Sequence, residues 1–390
     1  MFGSHLSIAG TMVNALLRAE ALRFDTVQVF TKNQRQWKVH PLDPGMQRDW
    51  LAHMKRLKWE GRVVSHASYL INLASPGDEI WRKSIDLMTV ELERAEVLGI
   101  PFVVHHPGAY TSTTLEQGLH RIATAYKELF QRTKGLKTIA CLEGTTGSGT
   151  NIGGRFEHLA ALRQLIIDMT GEPQRVGFCL DTCHLHAAGY DMSTAAAATQ
   201  SLKLFDQMCG IENLHVMHLN DSKGALGSKL DRHQHIGEGA VGGLALKPTL
   251  ETLSSSGFPA VINHPRISKL PKILETPKED ECPPGPPEPG SPKQLDSINL
   301  ERLRAIFTAG GKPGPFPPES TAPAKPTAKP VKKPAAAPAK PAATAPPATK
   351  PTAAKPSAAP APSSSAARKK ITKRTSTKQP PPKRPAKPPI

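Results

Sequence analysis

The most constraining feature of the chain is an alternation repeated eight times. A short apolar run is followed by a longer stretch with helical period, across residues 2–277. Strands are expected at 2–8, 26–30, 62–66, 102–106, 138–143, 176–181 and 216–220, with an eighth interrupted run at 260–262 and 273–275. The clearest helix spans 76–98. Ser75 serves as its N-cap, Pro76 suits its first position, and Asp78 and Glu79 favour the positive end of the dipole. Ile80, Trp81, Met88, Leu92, Ala95 and Leu98 form a stripe at spacings of three and four, and Gly99 ends the helix. Further helices are expected at 11–22, 114–133, 156–169 and 243–256. Strands alternating with helices predict a parallel sheet, and eight repeats over roughly 250 residues predict an α/β fold, a closed (β/α)8 TIM barrel. An open doubly wound sheet is the alternative, and no GxGxxG fingerprint supports a dinucleotide version of it.

Polar residues gather where these strands end, the face on which barrels carry their chemistry. His66, His106, Glu143, Asp181 and His218 close strands, and His184 follows just beyond Asp181. Asp231 and His233 sit in the next loop, and Glu275 closes the eighth strand. A lone histidine at a strand end is more often a hydrogen-bonded structural residue. Five imidazoles and four carboxylates converging on one rim are more buried titratable groups than a core tolerates without compensating cations. Imidazole with carboxylate is borderline-to-hard ligation, suited to zinc, manganese or iron, and nine donors exceed one tetrahedral site. Two or three ions are therefore expected.

Composition divides the chain. It has 390 residues and a formal charge of +17, which would read as a basic nucleic-acid binder if evenly spread. Residues 312–390 hold 17 of the 50 Lys and Arg, one acid (Glu319) and 22 prolines, leaving residues 1–311 with a net charge of +1. The expected domains are a barrel over 1–280, a linker and terminal helix over 281–311, and a Pro/Ala/Lys-rich basic tail over 312–390. The tail lacks the apolar residues to offset the entropy of ordering it, so disorder is expected there. No apolar run approaches the roughly 18 residues of a membrane helix, and no basic segment precedes an apolar one at the N-terminus, so neither membrane insertion nor a secretory signal is expected. Five cysteines, odd in number and mostly in apolar runs, read as buried free thiols in a reducing compartment.

The segments FTKNQRQW (30–37), SYLINL (68–73), HPGAY (106–110), LEGTTGSGTNIG (142–153), FEHLAAL (156–162), DTCHLHAAGYD (181–191), HLNDSKGALGSKLDRHQHIGEG (218–239) and ILETP (273–277) resemble those of the endonuclease IV family of apurinic/apyrimidinic endonucleases. The resemblance implies a (β/α)8 barrel holding three zinc ions that cleaves double-stranded DNA 5′ to abasic sites in base excision repair, and that also trims blocked 3′ ends. It implies that His66 and His106 hold a first zinc, with Glu143 bridging to a second. Asp181, His218 and Glu275 complete the second site, and His184, Asp231 and His233 hold the third. Glu143 and Glu275 are the expected catalytic carboxylates. Arg35 and Tyr69 match residues that enter the duplex where the abasic nucleotide is flipped out, and Gln36 is placed with them as a DNA contact. Read without the resemblance, Lys32 and Arg35 form a solvated loop face and Trp37 packs on the rim. His5 and His235 receive no ligand role, and Cys179 and Cys183 are taken as structural.

Two features depart from the family pattern. Strand one starts almost at Met1, which makes it the weak point for barrel closure. In strand eight the family pattern runs from Pro-Ala directly into Ile-Leu-Glu-Thr, so residues 261–272 read as an insertion or a retained in-frame intron. If Glu275 misses its place, a catalytically impaired lesion-binding protein results. A metal-dependent sugar isomerase or epimerase is the same-fold alternative, which the third donor group argues against. The basic clusters at 367–374 and 382–385 read as nuclear-import signals. They imply an import receptor as partner, a nuclear location with some mitochondrial residence, and sequence-blind phosphate contact by the tail. A monomer is expected.

Overall fold

A computed structural model of the chain describes residues 1–245, 248–278 and 295–308. The expected linker over 281–292, the tail over 312–390 and Cys282 lie outside the described residues. Eight parallel strands form the sheet: β1 (Phe2–Ser4), β2 (Gln28–Val29), β3 (Val64–His66), β4 (Phe102–His105), β5 (Ile139–Glu143), β6 (Val176–Asp181), β7 (Leu214–His218) and β8 (Lys272–Leu274). Each strand pairs with the next in sequence from β2 to β8, and β8 also pairs with β1 through Ile273 opposite Gly3. A bridge between His5 and Gln28, with Leu6 N–H donating to the Gln28 carbonyl at 2.9 Å, joins β1 to β2 and closes the ring. The short first strand thus closes the barrel on both sides.

Helices α1 (Val13–Ala21), α2 (Pro44–Leu57), α3 (Asp78–Val97), α4 (Leu115–Arg132), α5 (Phe156–Thr170), α6 (Thr182–Ala188), α7 (Ala195–Cys209), α8 (Leu250–Ser255), α9 (Phe258–Ile262) and α10 (Leu295–Ala305) surround the strands. α3 starts two residues later than expected, with Gly77 as N-cap, while Ser75 donates to the Gly77 carbonyl at 3.3 Å. Trp81, Ile85, Met88, Leu92 and Ala95 are its buried stripe, and Ile80 faces solvent. Gly99 follows α3 in the left-handed region (φ +66°), which favours glycine.

The interrupted eighth strand is corrected by the structure. Residues 260–262 close a one-turn helix, α9, with Pro259 in its first turn where a missing N–H is harmless. Only Lys272–Leu274 pair as strand. The segment between is packed: Phe258, Val261, Ile262 and Ile267 are fully buried, and Arg266 pairs with Asp206 (2.8 Å) and Glu212 (2.9 Å). The buried Lys272 ammonium donates to the carbonyls of Ile267 and Ser268 (2.8 Å each) and Leu270 (3.2 Å), satisfying a turn that has no ladder partners. After β8, α10 seats Leu300 and Leu303 in the core.

Inside the barrel, one apolar layer sets the height of everything above it. Val64, Val104, Cys141, Cys179, Val216 and Ile273 come from six consecutive strands and are fully buried against one another. Two residues further along each strand lie His66, His106, Glu143, Asp181, His218 and Glu275. Since strand side chains alternate faces, a step of two keeps these six on the inner face, one layer higher.

Candidate metal centre

The six residues of that upper layer, with His184 from α6 and Asp231 and His233 from the segment after β7, fall into three donor groups. His66, His106 and Glu143 form the first. The Glu143 Oε2 lies 3.2 Å from His66 Nε2 and 3.4 Å from His106 Nε2. Glu143, Asp181, His218 and Glu275 form the second, where His218 Nδ1 stands 3.1 Å from Glu143 Oε1, 3.2 Å from Glu275 Oε2 and 3.9 Å from Asp181 Oδ2. Asp181, His184 and His233 form the third, with Asp231 Oδ1 at 3.3 Å from His184 Nε2 and 3.6 Å from His233 Nε2. All nine ligand candidates read from the sequence are brought together. Glu143 turns one oxygen to the first group and the other to the second, and Asp181 serves the second and third.

Backbone geometry aims these rings. The Nδ1 of His66 lies 2.7 Å from the Ala67 carbonyl, that of His184 2.9 Å from the Gly144 carbonyl, and that of His233 3.0 Å from the Glu275 carbonyl. A carbonyl only accepts, so each Nδ1 carries a proton, and each Nε2 is turned toward the carboxylates, where it holds a second proton or gives its lone pair to a cation. A two-stranded ribbon, Asp221–Ser222 antiparallel to His233–Gln234, carries His233 to the rim. The buried Asp221 carboxylate anchors that ribbon by accepting N–H bonds from Ser222, Gly237, Gly239, Val241 and Gly242 at 2.8–3.1 Å. The loop after β5 folds back on itself, and a Cβ at Gly154 would lie 2.4 Å from the Gly147 Cα, so only glycine fits there.

Electrostatics fit the site to cations. Burial alone would raise a carboxyl and lower an imidazole. Against that burial, His218 and His106 hold Glu143 well below the usual carboxylate range, and His218 and His5 hold Glu275 there too. Reciprocally, burial lowers the imidazoles, yet the carboxylates outweigh it to raise His66 and to raise His184 to about 10, and Cys179 with Glu275 and Glu143 raises His218 well above its ordinary value. The carboxylates thus demand positive charge at this spot, which protons or metal ions can supply in competition. The His233 Nε2 is buried without a hydrogen-bond partner, 3.6 Å from both Asp181 and Asp231 oxygens, an orphan that a cation would satisfy. Imidazole and carboxylate donors in three groups fit borderline divalent ions. Cys179 also lies within reach of Glu143 and His218, but burial pushes its thiol up to about 12, which keeps it protonated and a poor ligand. Cys141, Cys179, Cys183 and Cys209 are buried free thiols.

Around this centre the rim is open. Tyr69 is 60% exposed, with its ring 5.1 Å from His66 and 6.1 Å from His106. A cavity of about 260 Å³ opens beside the first group, lined by Tyr69, Asn72, His106 and Asn151 among others. Arg35 and Gln36 are exposed on the loop after β2. Lys32 does not belong to a solvated face: its side chain is 7% exposed and its ammonium lies 3.0 Å from the buried Glu91 carboxylate. Glu91 also accepts from Thr31 Oγ (2.9 Å) and Ser68 N–H (3.1 Å), and Ser68 Oγ donates to the Gln34 carbonyl at 2.6 Å.

Three residues of the centre carry no role in the sequence reading. His5 Nδ1 stands 3.4 Å from Glu275 Oε1. Gln28 Nε2 donates to the same oxygen at 2.6 Å. Asn220 Nδ2 donates to Asp181 Oδ2 at 2.6 Å while its Oδ1 accepts the Glu275 N–H at 2.7 Å. A signal for Gln28 exists: a glutamine in the middle of an apolar run, at inward-facing parity.

Comparison with known proteins places the chain in a family. The profile of the xylose isomerase-like TIM barrel family matches residues 16–298. A probable endonuclease 4 from Chloroflexus aurantiacus is 40% identical over 305 residues, covering 78% of this chain and 97% of that protein. Endonuclease IV from Thermus thermophilus superimposes with a TM-score of 0.62 at 34% identity, over 78% of this chain and 98% of its own. The D-psicose 3-epimerase from Clostridium cellulolyticum H10, at 12% identity and a TM-score of 0.53 over 78% and 99% of the two chains, shares the fold alone. By sequence and by architecture, this chain belongs to the endonuclease IV family of apurinic/apyrimidinic endonucleases.

Proposed function

We propose that this chain is a zinc-dependent DNA-repair endonuclease. It hydrolyses the phosphodiester 5′ to abasic sites in double-stranded DNA as part of base excision repair, leaving a 3′-hydroxyl and a 5′-deoxyribose phosphate, and it trims blocked 3′ ends. The observation that carries this reading is the trio of donor groups linked by Glu143 and Asp181. His66 and His106 with Glu143 hold one zinc; Glu143, Asp181, His218 and Glu275 a second; His184, Asp231 and His233 a third. Bound there, divalent ions supply an acidified water and neutralise charge on the phosphoryl and leaving oxygens. Glu143, with an oxygen toward each of two groups, fixes their separation and orients the attacking water. Glu275, anchored through its backbone N–H on Asn220, sets the depth at which the scissile phosphate is met.

Reaching ions at the bottom of a barrel mouth requires the abasic nucleotide to leave the duplex. Tyr69, exposed above the first group, and Arg35 with Gln36 on the adjoining loop are suited to fill the gap it leaves. The basic tail supplies nuclear import through a receptor and sequence-blind phosphate contact. The protein acts as a monomer in the nucleus, with some mitochondrial residence. Among the described residues, no helix is long and apolar enough to cross a membrane.

The test pairs two measurements on the full chain: zinc by elemental analysis, and nicking of a duplex with one abasic site against an undamaged duplex and against ketoses. About three zinc per chain, a single cut 5′ to the lesion and loss of cutting on chelation are expected. A three-zinc protein that leaves the abasic duplex intact, or that isomerises a ketose instead, overturns the assignment.

A further inference from the structure

The apolar layer beneath the metal centre has one polar member. Six strands fill that level with Val64, Val104, Cys141, Cys179, Val216 and Ile273. On β2, Gln28 stands opposite Val64 and is fully buried. A buried amide among aliphatic neighbours costs free energy unless each of its groups is bonded. Here all the amide's bonds go to the second donor group or its neighbour. Its Oε1 lies 2.9 Å from His218 Nε2, and its Nε2 donates to Glu275 Oε1 (2.6 Å) and lies 2.9 Å from His5 Nδ1.

These contacts have a consequence for how the second group binds. An amide oxygen only accepts, so His218 keeps a proton on Nε2, and in its neutral, ligating form it turns the lone pair of Nδ1 inward. That Nδ1 is the atom facing Glu143 and Glu275 at 3.1 and 3.2 Å. The amide's N–H in turn occupies one oxygen of Glu275 and leaves the other, Oε2, facing His218. One side chain from the closing seam of the barrel therefore orients ligands from β7 and the end of β8.

We propose that Gln28 is a positioning residue that locks the His218–Glu275 pair and thereby sets the affinity of the second donor group for its cation. The proposal rests on the metal-centre reading above. An outer partner of this kind is worth about 10- to 100-fold in metal affinity. Gln28→Met keeps the volume and removes both hydrogen-bonding functions. Gln28→Glu keeps the acceptor for His218 and removes the donor to Glu275.

The experiment follows zinc-loaded full-length protein with two readouts besides activity: zinc per chain by native mass spectrometry along a chelator series, and the His218 Nε2–H proton by NMR. In Gln28→Met, one of three ions should leave at about 10- to 100-fold lower chelator strength, with the other two unchanged. Its His218 proton should move upfield and exchange faster. In Gln28→Glu the same proton should move downfield, because a charged acceptor shortens the bond. A general packing defect would loosen all three ions and shift the proton alike in both variants. Wild-type chelator behaviour in Gln28→Met, or an unmoved proton in Gln28→Glu if the methionine variant does not fold, overturns the role of Gln28 while leaving the metal centre standing. Wild-type protein that holds no zinc overturns the metal-centre reading itself and the proposal with it.

Discussion

The two ends of strand eight treat buried charge in opposite ways. At its lower end Lys272 is 1% exposed, and its ammonium is surrounded by three backbone carbonyls from its own preceding turn. Three residues later Glu275 enters a cluster where carboxylates face imidazoles, with Glu143, Asp181 and His218 at 0% exposure. The lower amine, charged or neutral, is satisfied by carbonyls inside the protein and asks nothing of the solvent. The upper cluster has negative charge that its own residues balance only by protonating imidazoles, and an orphaned His233 nitrogen besides. Buried charge closed on itself serves the fold, and buried charge left open serves a partner. This is the barrel's general division between a stabilising and a chemical face, here spanned by one short strand.

The sharpest way to break that contrast is to remove the shared carboxylate. Glu143→Gln takes a ligand from two donor groups at once. Cleavage of an abasic duplex should fall on the order of 10³-fold, as when a major electrostatic contributor to a transition state is lost, and zinc per chain should fall with it. Glu275→Gln touches one group only and should cost less in both measurements. Thermal stability of the metal-free protein should fall in both variants, since each strips a buried carboxylate from the imidazoles it pairs with. A Glu143→Gln variant that cuts like wild type would mean that the rim's open charge is structural after all.

The same contrast explains which parts were legible beforehand. The six inward ligands lie two residues beyond an apolar residue on each strand, so strand period and a polar strand end together exposed them. The helices α2 and α7 carry only a weak apolar stripe in the sequence: α2 buries only Trp50 and Met54, and α7 opens on four alanines. Residues 260–262 read as strand because Val and Ile favour it, but the packing of Val261 and Ile262 into the core overrode that local preference. Gln28 shows in the sequence only as one polar residue at inward parity; its role arises only when β2, β7 and β8 meet. Lys32 looked solvated because its partner, Glu91, is 59 positions away.

That Lys32–Glu91 contact lies between the two extremes, a closed ion pair placed under the rim. Glu91 holds Lys32, Thr31 and Ser68, and Arg94 one turn on donates to the carbonyls of Thr31 and His40. The loops bearing Arg35 and Tyr69 thus share one carboxylate anchor. Glu91→Gln should raise KM for abasic duplex about tenfold, equivalent to about 1.4 kcal/mol, with kcat and bound zinc within about twofold of wild type. A fall in zinc content of the same variant would instead join this anchor to the metal centre.

The smallest effect on cleavage is expected at the lower end, where the change falls on stability and is read through pH. Burial pushes Lys272 from 10.5 down to about 7. Between these values the unfolded chain binds a proton that the folded chain does not, so stability rises with pH across that window, by at most about 1.4 kcal/mol per pH unit. Below about pH 7 both states are protonated and the gain is absent. A neutral amine still donates two hydrogen bonds to the three carbonyls, so the turn stays held. Lys272→Met removes the titration and takes the ammonium donor from the Ser268 and Leu270 carbonyls, at about 1–3 kcal/mol, while the Ile267 carbonyl keeps the Leu270 N–H. Denaturant unfolding from pH 6 to pH 10 should therefore show wild type gaining on the variant as pH rises past about 7, with kcat/KM for abasic duplex equal in the two proteins. If the stability difference is flat in pH, the ammonium stays charged throughout and its carbonyl cage, rather than burial, sets its proton affinity.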